Sequence, residues 1–252
     1  MRRAAASLLA GVAVAGCGGP TAGAARPQPV IVSAAASLTE ALRACARSDP
    51  GLEPRLSFAG SGELAGQLRR GVEPDVYLAA DTRLPQELAA EGLVERPVAL
   101  ATNDLVLAVT AGSSIDELDD LSALGTTLVL GSESVPVGSL ARRVLGRLPA
   151  AREQAILANV RSEEPDVKGV VGKLVQGAAD AGFVYDTDVR ATRGALRAIR
   201  LPAELRPSVV YRGAVVDGAP HPQAARAYLS SVIAGACARS LRRAGFEPPP
   251  AR

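Results

Sequence analysis

Short apolar runs alternating with amphipathic helical segments constrain this chain more than any other feature. From residue 29 the order is "PVIVSAA", "SLTEALRACARS", "RLSFA", "SGELAGQLRRG", "DVYLAA" and "TRLPQELAAEGLV". It continues through "DLVLAVTA", "TTLVLG", "VGSLARRVLGRL", "VKGVVGKLVQGAA" and "AGFVY". "PSVVYRGAVV" and a long helical stretch after His221 close the pattern. Strands this apolar, each handing over to a helix, predict an α/β fold with largely parallel sheets covered by helices. Two of the strands read as crossings between lobes: "NDLVLAV" (103–109) leaves a first lobe and "PSVVYRGAVV" (207–216) returns to it. The expected division is residues 30–103 with 214–252 as lobe one and 104–213 as lobe two, with a cleft between them.

The first residues address the compartment. "MRRAAASLLAGVAVAGC" carries two arginines, an apolar run too short to span a bilayer, and small residues before Cys17. Val14-Ala15-Gly16-Cys17 resembles a bacterial lipobox, which implies a signal peptide over 1–16 and lipid on Cys17. A cleaved secretory signal without lipid is the simpler alternative. Residues 18–29, "GGPTAGAARPQP", have the composition of a flexible tether, and no other stretch is long and apolar enough to cross a membrane. The mature chain is therefore expected outside the cytoplasmic membrane, anchored by its N-terminal lipid. In that oxidising setting Cys45, on the first helix, and Cys237, on the last, are either a disulfide or two small buried side chains.

Several function classes fail on inventory. With 28 basic and 26 acidic residues and no like-charge block, nucleic-acid binding has no electrostatic footprint. One histidine, His221, and three cysteines supply no metal-ligand cluster, and no cofactor is expected. Lys168 and Lys173 do not complete a P-loop, and no G-x-S-x-G elbow accompanies Ser37 or Ser61. Asp75 and Asp81 could pair as carboxylates, but Asp81 precedes "TRLPQEL" and is more simply that helix's cap. "GSGELA" (60–65) does match G-x-G-x-x-A between a strand and a helix, with Asp81 about twenty residues on. A dinucleotide-dependent enzyme using Gly60, Gly62 and Asp81 therefore stays as an alternative, although Glu63 would sit in the loop meant for pyrophosphate.

Four helix starts share one chemistry: "AAAS" at Ser37, "AGSG" at Ser61, "SVPVG" at Val137 and "EEPDVKG" at Val167. Each offers unpaired backbone N–H groups, two add a hydroxyl, and Tyr185 in "AGFVYDTD" is a fifth donor. Taken singly each is an ordinary cap; Ser37-Leu38-Thr39-Glu40, for example, has the form of a capping box. Converging at a cleft, they would instead make a neutral cage for an anion that carries no proton, with the alanines clearing room for it.

"AAASLTEAL", "FAGSGELAGQL", "PDVYLAAD", "SVPVGSLAR", "EEPDVKGVVGKL" and "GFVYDTDV", in this order, resemble the molybdate-binding proteins of ABC transporters. The likeness runs from about residue 30 to "RRAGF". It implies a two-lobed periplasmic-binding-protein fold of type II, with a two-stranded hinge and an oxyanion enclosed between the lobes. Carried over by motif, the ligands would be the hydroxyls of Ser37, Ser61 and Tyr185 and the backbone N–H groups of Val137 and Val167. Some relatives have a serine where this chain has Gly60. The function implied is a non-enzymatic, monomeric receptor for molybdate, with tungstate as a further ligand, serving a membrane permease and its ATPase. A receptor for sulfate or another tetrahedral oxyanion is the alternative.

Overall fold

The computed structural model describes residues 29–49, 51 and 53–249. The segment expected to be a signal peptide, Cys17 and all of the expected tether except Pro29 lie outside the described residues. The first half contains β1 (Val30–Ala35), a 3₁₀ turn (Ala36–Leu38), α1 (Thr39–Ser48), β2 (Pro54–Ala59), α2 (Ser61–Arg69), β3 (Val76–Ala79), α3 (Arg83–Ala90) and β4 (Val98–Thr110). Next come β5 (Leu128–Gly131), α4 (Pro136–Leu145), α5 (Ala150–Leu157), β6 (Val160–Glu164), α6 (Val167–Val175), β7 (Ala181–Tyr185), α7 (Asp186–Ala191) and β8 (Leu196–Arg200). The chain closes with β9 (Ser208–Val215), α8 (Pro222–Ala234) and α9 (Ala236–Ala244).

The strands run in the order β2-β1-β3-β9-β4-β7-β5-β6, with β8 also on β4. β1 is parallel to β2 and β3, and β5 is parallel to β6 and β7, whereas β9 pairs antiparallel with β3 and β4. The central strands β3, β5 and β7 are buried at every position, which is why each is written without polar alternation. The outer strands β2 and β6 alternate between more and less exposed positions, as a strand with one wet face does.

β4 carries the sheet from one half to the other. Its 98–104 portion pairs with β9, and its 105–110 portion pairs with β7 and β8. β9 pairs only with β3 and the first part of β4, so residues 208–213, expected in lobe two, lie in the first half of the sheet. Between β8 and β9 lies an irregular segment that contains the 3₁₀ turn Ala203–Leu205.

Two internal ties hold the first half. Asp75, fully buried, accepts from the Ile31 N–H at 2.7 Å and the His221 N–H at 2.6 Å, and meets His221 Nδ1 at 3.1 Å. It joins β1 to the start of α8 and so is no partner for Asp81. Cys45 and Cys237 form a disulfide between α1 and α9, with Cα atoms 4.7 Å apart and 192 residues between them in sequence. Closing so long a loop removes much unfolded-chain entropy. Replacing both cysteines by alanine is expected to lower unfolding free energy by about 2–5 kcal/mol. Denaturant titration of the oxidised protein and the double variant measures it; equal midpoints would contradict the account.

Candidate functional site

The ends of five chain segments meet where the two halves of the sheet face one another. The 3₁₀ turn leaves β1, α2 leaves β2, α4 follows β5 and α6 follows β6, while β7 ends at Tyr185. Each segment departs from the C-terminal end of a strand, where open α/β sheets place ligands. A cavity of about 20 Å³ lies between them, bounded by Ser37, Ser61, Val137, Val167 and Tyr185 together. Ala35, Ala36, Ala59 and Ala80 complete its first wall, so small side chains do clear the space. Among the described residues no lysine or arginine borders it.

Two hydroxyls of this cavity each accept one hydrogen bond from behind and keep a proton to donate. Ser37 caps no helix: the 3₁₀ turn shifts the start of α1 to Thr39, and the cap position falls on Leu38, which makes no side-chain cap. Its Oγ instead accepts from Tyr211 Oη at 2.9 Å, leaving the serine proton free. Ser61 Oγ accepts from the Ala80 N–H at 3.1 Å, with the same consequence, while Tyr77 Oη donates to the Ser61 carbonyl at 2.8 Å. Tyr185 Oη is buried and has no protein partner. Burial holds the Tyr185 phenol well above its ordinary pKa, so it stays protonated and able to donate. Val137 is the second residue of α4, after Pro136, and its N–H has no acceptor within the helix. At α6 the Asp166 carboxylate accepts from Lys168 N–H at 2.7 Å and Gly169 N–H at 3.0 Å. That cap leaves the N–H of Val167, the first helical residue, for whatever the cavity holds.

The walls touch beside the cavity. A Cβ on Gly60 would lie 2.5 Å from the Pro165 carbonyl oxygen and 2.9 Å from Val135 Cγ1, both on the opposite wall. One on Gly62 would lie 2.7 Å from the Ser134 carbonyl oxygen. A serine at position 60 would therefore hold the walls apart. The same contacts overturn the dinucleotide reading, since backbone fills the place a pyrophosphate would need. Asp81, assigned to a ribose in that reading, accepts from the Leu84 N–H at 2.7 Å at the start of α3.

An ion cluster joins the walls nearby. Lys168 Nζ reaches Glu40 of α1 at 2.7 Å and Asp188 of α7 at 2.9 Å. Asp188 also accepts from the Tyr185 N–H at 3.3 Å, which steadies the end of β7. Burial raises the Asp188 carboxyl to about 6, against the lowering effect of Lys168. A folded-state pKa above the unfolded value means the native state binds the proton more tightly. The stability this supplies is complete below about pH 4 and lost as pH rises through about 6. Wild type should therefore gain stability relative to Asp188→Asn as pH falls from 7 to 4. Denaturant midpoints across that range test it, and a difference independent of pH would contradict it.

Sequence reasoning did not single out Tyr211, Asn103, Asp166 or the Lys168 cluster. Only Asp166 had a local signal, an acidic residue directly before a helical run.

A family model described as bacterial extracellular solute-binding protein matches residues 30–247. The molybdate-binding protein ModA of Mycobacterium tuberculosis is 34% identical over 97% of this chain and 95% of its own. That of Escherichia coli is 28% identical over 75% of this chain and 77% of its own. Among solved structures, the Azotobacter vinelandii periplasmic molybdate-binding protein superposes with a TM-score of 0.78 at 19% identity, covering 88% of this chain and 100% of that one. The Mycobacterium tuberculosis sulfate-binding protein SubI gives 0.75 at 18%, covering 87% and 86%. These two show a shared fold, the type II architecture of periplasmic binding proteins. Among the described residues no helix is long and apolar enough to cross a membrane. The chain belongs to the bacterial extracellular solute-binding proteins, in the family of the molybdate-binding ModA proteins.

Proposed function

We propose that this protein captures molybdate in the cavity between its walls and delivers it to an ABC importer. Ser37, Ser61 and Tyr185 would donate through hydroxyls, and Val137 and Val167 through backbone N–H groups. The observation that carries this reading is the buried, unpartnered Tyr185 hydroxyl beside four further donors around one small cavity. A dianion satisfies all of them at once through charge-assisted hydrogen bonds, which offset its dehydration. Among the described residues Asp166 is the only charged side chain bordering the cavity, and its Oδ1 accepts from the N–H groups of Lys168 and Gly169.

The molybdate-binding relatives support molybdate in particular. Tungstate, with the same charge and shape, belongs to the same reading. Sulfate remains the rival, because a sulfate-binding protein shares this fold and would use the same donors. Cavity size separates the two, the metal oxyanion being the larger. The lobes proposed are the two halves of the sheet, moving about β4 and the segment before β9. Anchoring through lipid on Cys17 and a monomeric state complete the proposal.

No bond is made or broken in this reading. One relative, an aconitate isomerase from Pseudomonas sp, is 26% identical over 75% of this chain. Turnover of a tricarboxylic acid by the purified protein would favour that rival.

Calorimetric titration with molybdate, tungstate, sulfate and phosphate tests the assignment. Tight binding of the first two alone is expected, and sulfate binding of equal strength would move the assignment to a general oxyanion receptor. Tyr185→Phe should weaken molybdate binding by about 1.5–3 kcal/mol, the scale of a hydrogen bond to a charged group. Unchanged affinity would remove Tyr185 from the site.

A further inference from the structure

Ionic contact between the two halves of the molecule is concentrated at one place. Among the described residues every ion pair lies within one half except that of Lys168 on α6 with Glu40 on α1, at 2.7 Å. Arg69 and Arg83 show the contrast. They border a groove shared with Ser132 and Ser134 of the second half, yet they pair with Glu87 and Glu91 of their own half. Asn103 of β4 donates to Thr187 of α7 at 2.9 Å, but that bond lies where β4 passes from one half to the other. The Lys168 pair instead joins the two segments that carry cavity donors. Lys168 directly follows Val167, and Glu40 lies three residues after Ser37. α6 also packs against the 3₁₀ turn that presents Ser37. Asp188, fully buried on α7, holds the same Nζ at 2.9 Å from its own half.

We propose that the pair of Lys168 and Glu40 is a latch that holds the two walls together around the anion and sets the rate at which it escapes. Neither residue borders the cavity, so both are positioning residues that act on closure and not on the ligand itself. Asp188 keeps the ammonium aimed across the gap whether or not the walls have met, so closing costs little further side-chain order. Glu40 is half exposed, which keeps the link weak enough to part when the ligand is handed on. The latch engages only when the walls meet, so it slows departure and leaves entry alone. This inference rests on the cavity being the oxyanion site and on the halves parting to admit the ligand.

The test measures association and release of radiolabelled molybdate, with an unlabelled chase, for wild type, Glu40→Gln, Lys168→Gln and the double variant. Glu40→Gln removes a charge from an exposed position and leaves Lys168 with Asp188. It should release molybdate about two- to fivefold faster, the scale of a half-exposed ion pair, with an unchanged association rate. The double variant should release no faster than Lys168→Gln alone, because the two side chains act as a unit. Raising the salt concentration should speed release from wild type more than from Glu40→Gln. A side chain that served folding alone would shift the denaturant midpoint of the unliganded protein and leave the release rate where it was. Equal release rates in wild type and Glu40→Gln would overturn the latch while leaving the site intact. Wild type that binds no molybdate would overturn the site reading and the latch together.

Discussion

A hydrogen-bond donor closed inside a protein without an acceptor costs about 1–3 kcal/mol, and this fold gathers several of them around one cavity. Tyr185 Oη has no protein partner, and the N–H groups of Val137 and Val167 open their helices with no acceptor behind them. Ser37 and Ser61 each have a lone pair occupied from behind and a proton left over. Folding alone leaves this set unsatisfied. In the proposed reading, an anion with acceptor oxygens on every side would satisfy it without lysine or arginine.

The placement of those donors follows from the sheet. Parallel strands deliver helix starts to one edge, and β4 brings the edges of its two halves face to face. The close approach depends on Gly60 and Gly62, where a side chain would meet backbone of the opposite wall. Lys168 bridges Glu40 and Asp188 from one wall to the other beside the site. Glu40 is half exposed in that cluster, so its link to Lys168 contributes direction more than strength. On the far side of α1 the disulfide to α9 ties down the helix that follows Ser37.

Much of this was legible in the sequence, for identifiable reasons. Strands buried on both faces lose polar alternation, so β3, β5 and β7 stand out as apolar runs. Helix starts that follow strands are local features, which is why Ser37, Ser61, Val137 and Val167 could be named before their convergence was seen. Strand partners are not local: the apolar pattern of 207–216 does not say that β9 pairs wholly within the first half. Nor does it say that Tyr211 reaches a serine 174 residues away. Tyr211 reads as core, and it is core, but its hydroxyl also donates to Ser37. The capping-box pattern at Ser37 misleads because a 3₁₀ turn moves the helix start by one residue. The glycine pattern at 60–62 likewise requires close backbone approach without saying to what; its neighbour proves to be protein.

Anomalous diffraction at the molybdenum edge, on crystals of the protein grown with molybdate, tests the central claim most directly. The account predicts one molybdenum peak in the cavity, with its oxygens within hydrogen-bond reach of Ser37, Ser61, Val137, Val167 and Tyr185. A peak elsewhere, or oxygens that leave Tyr185 Oη without a partner, would contradict it.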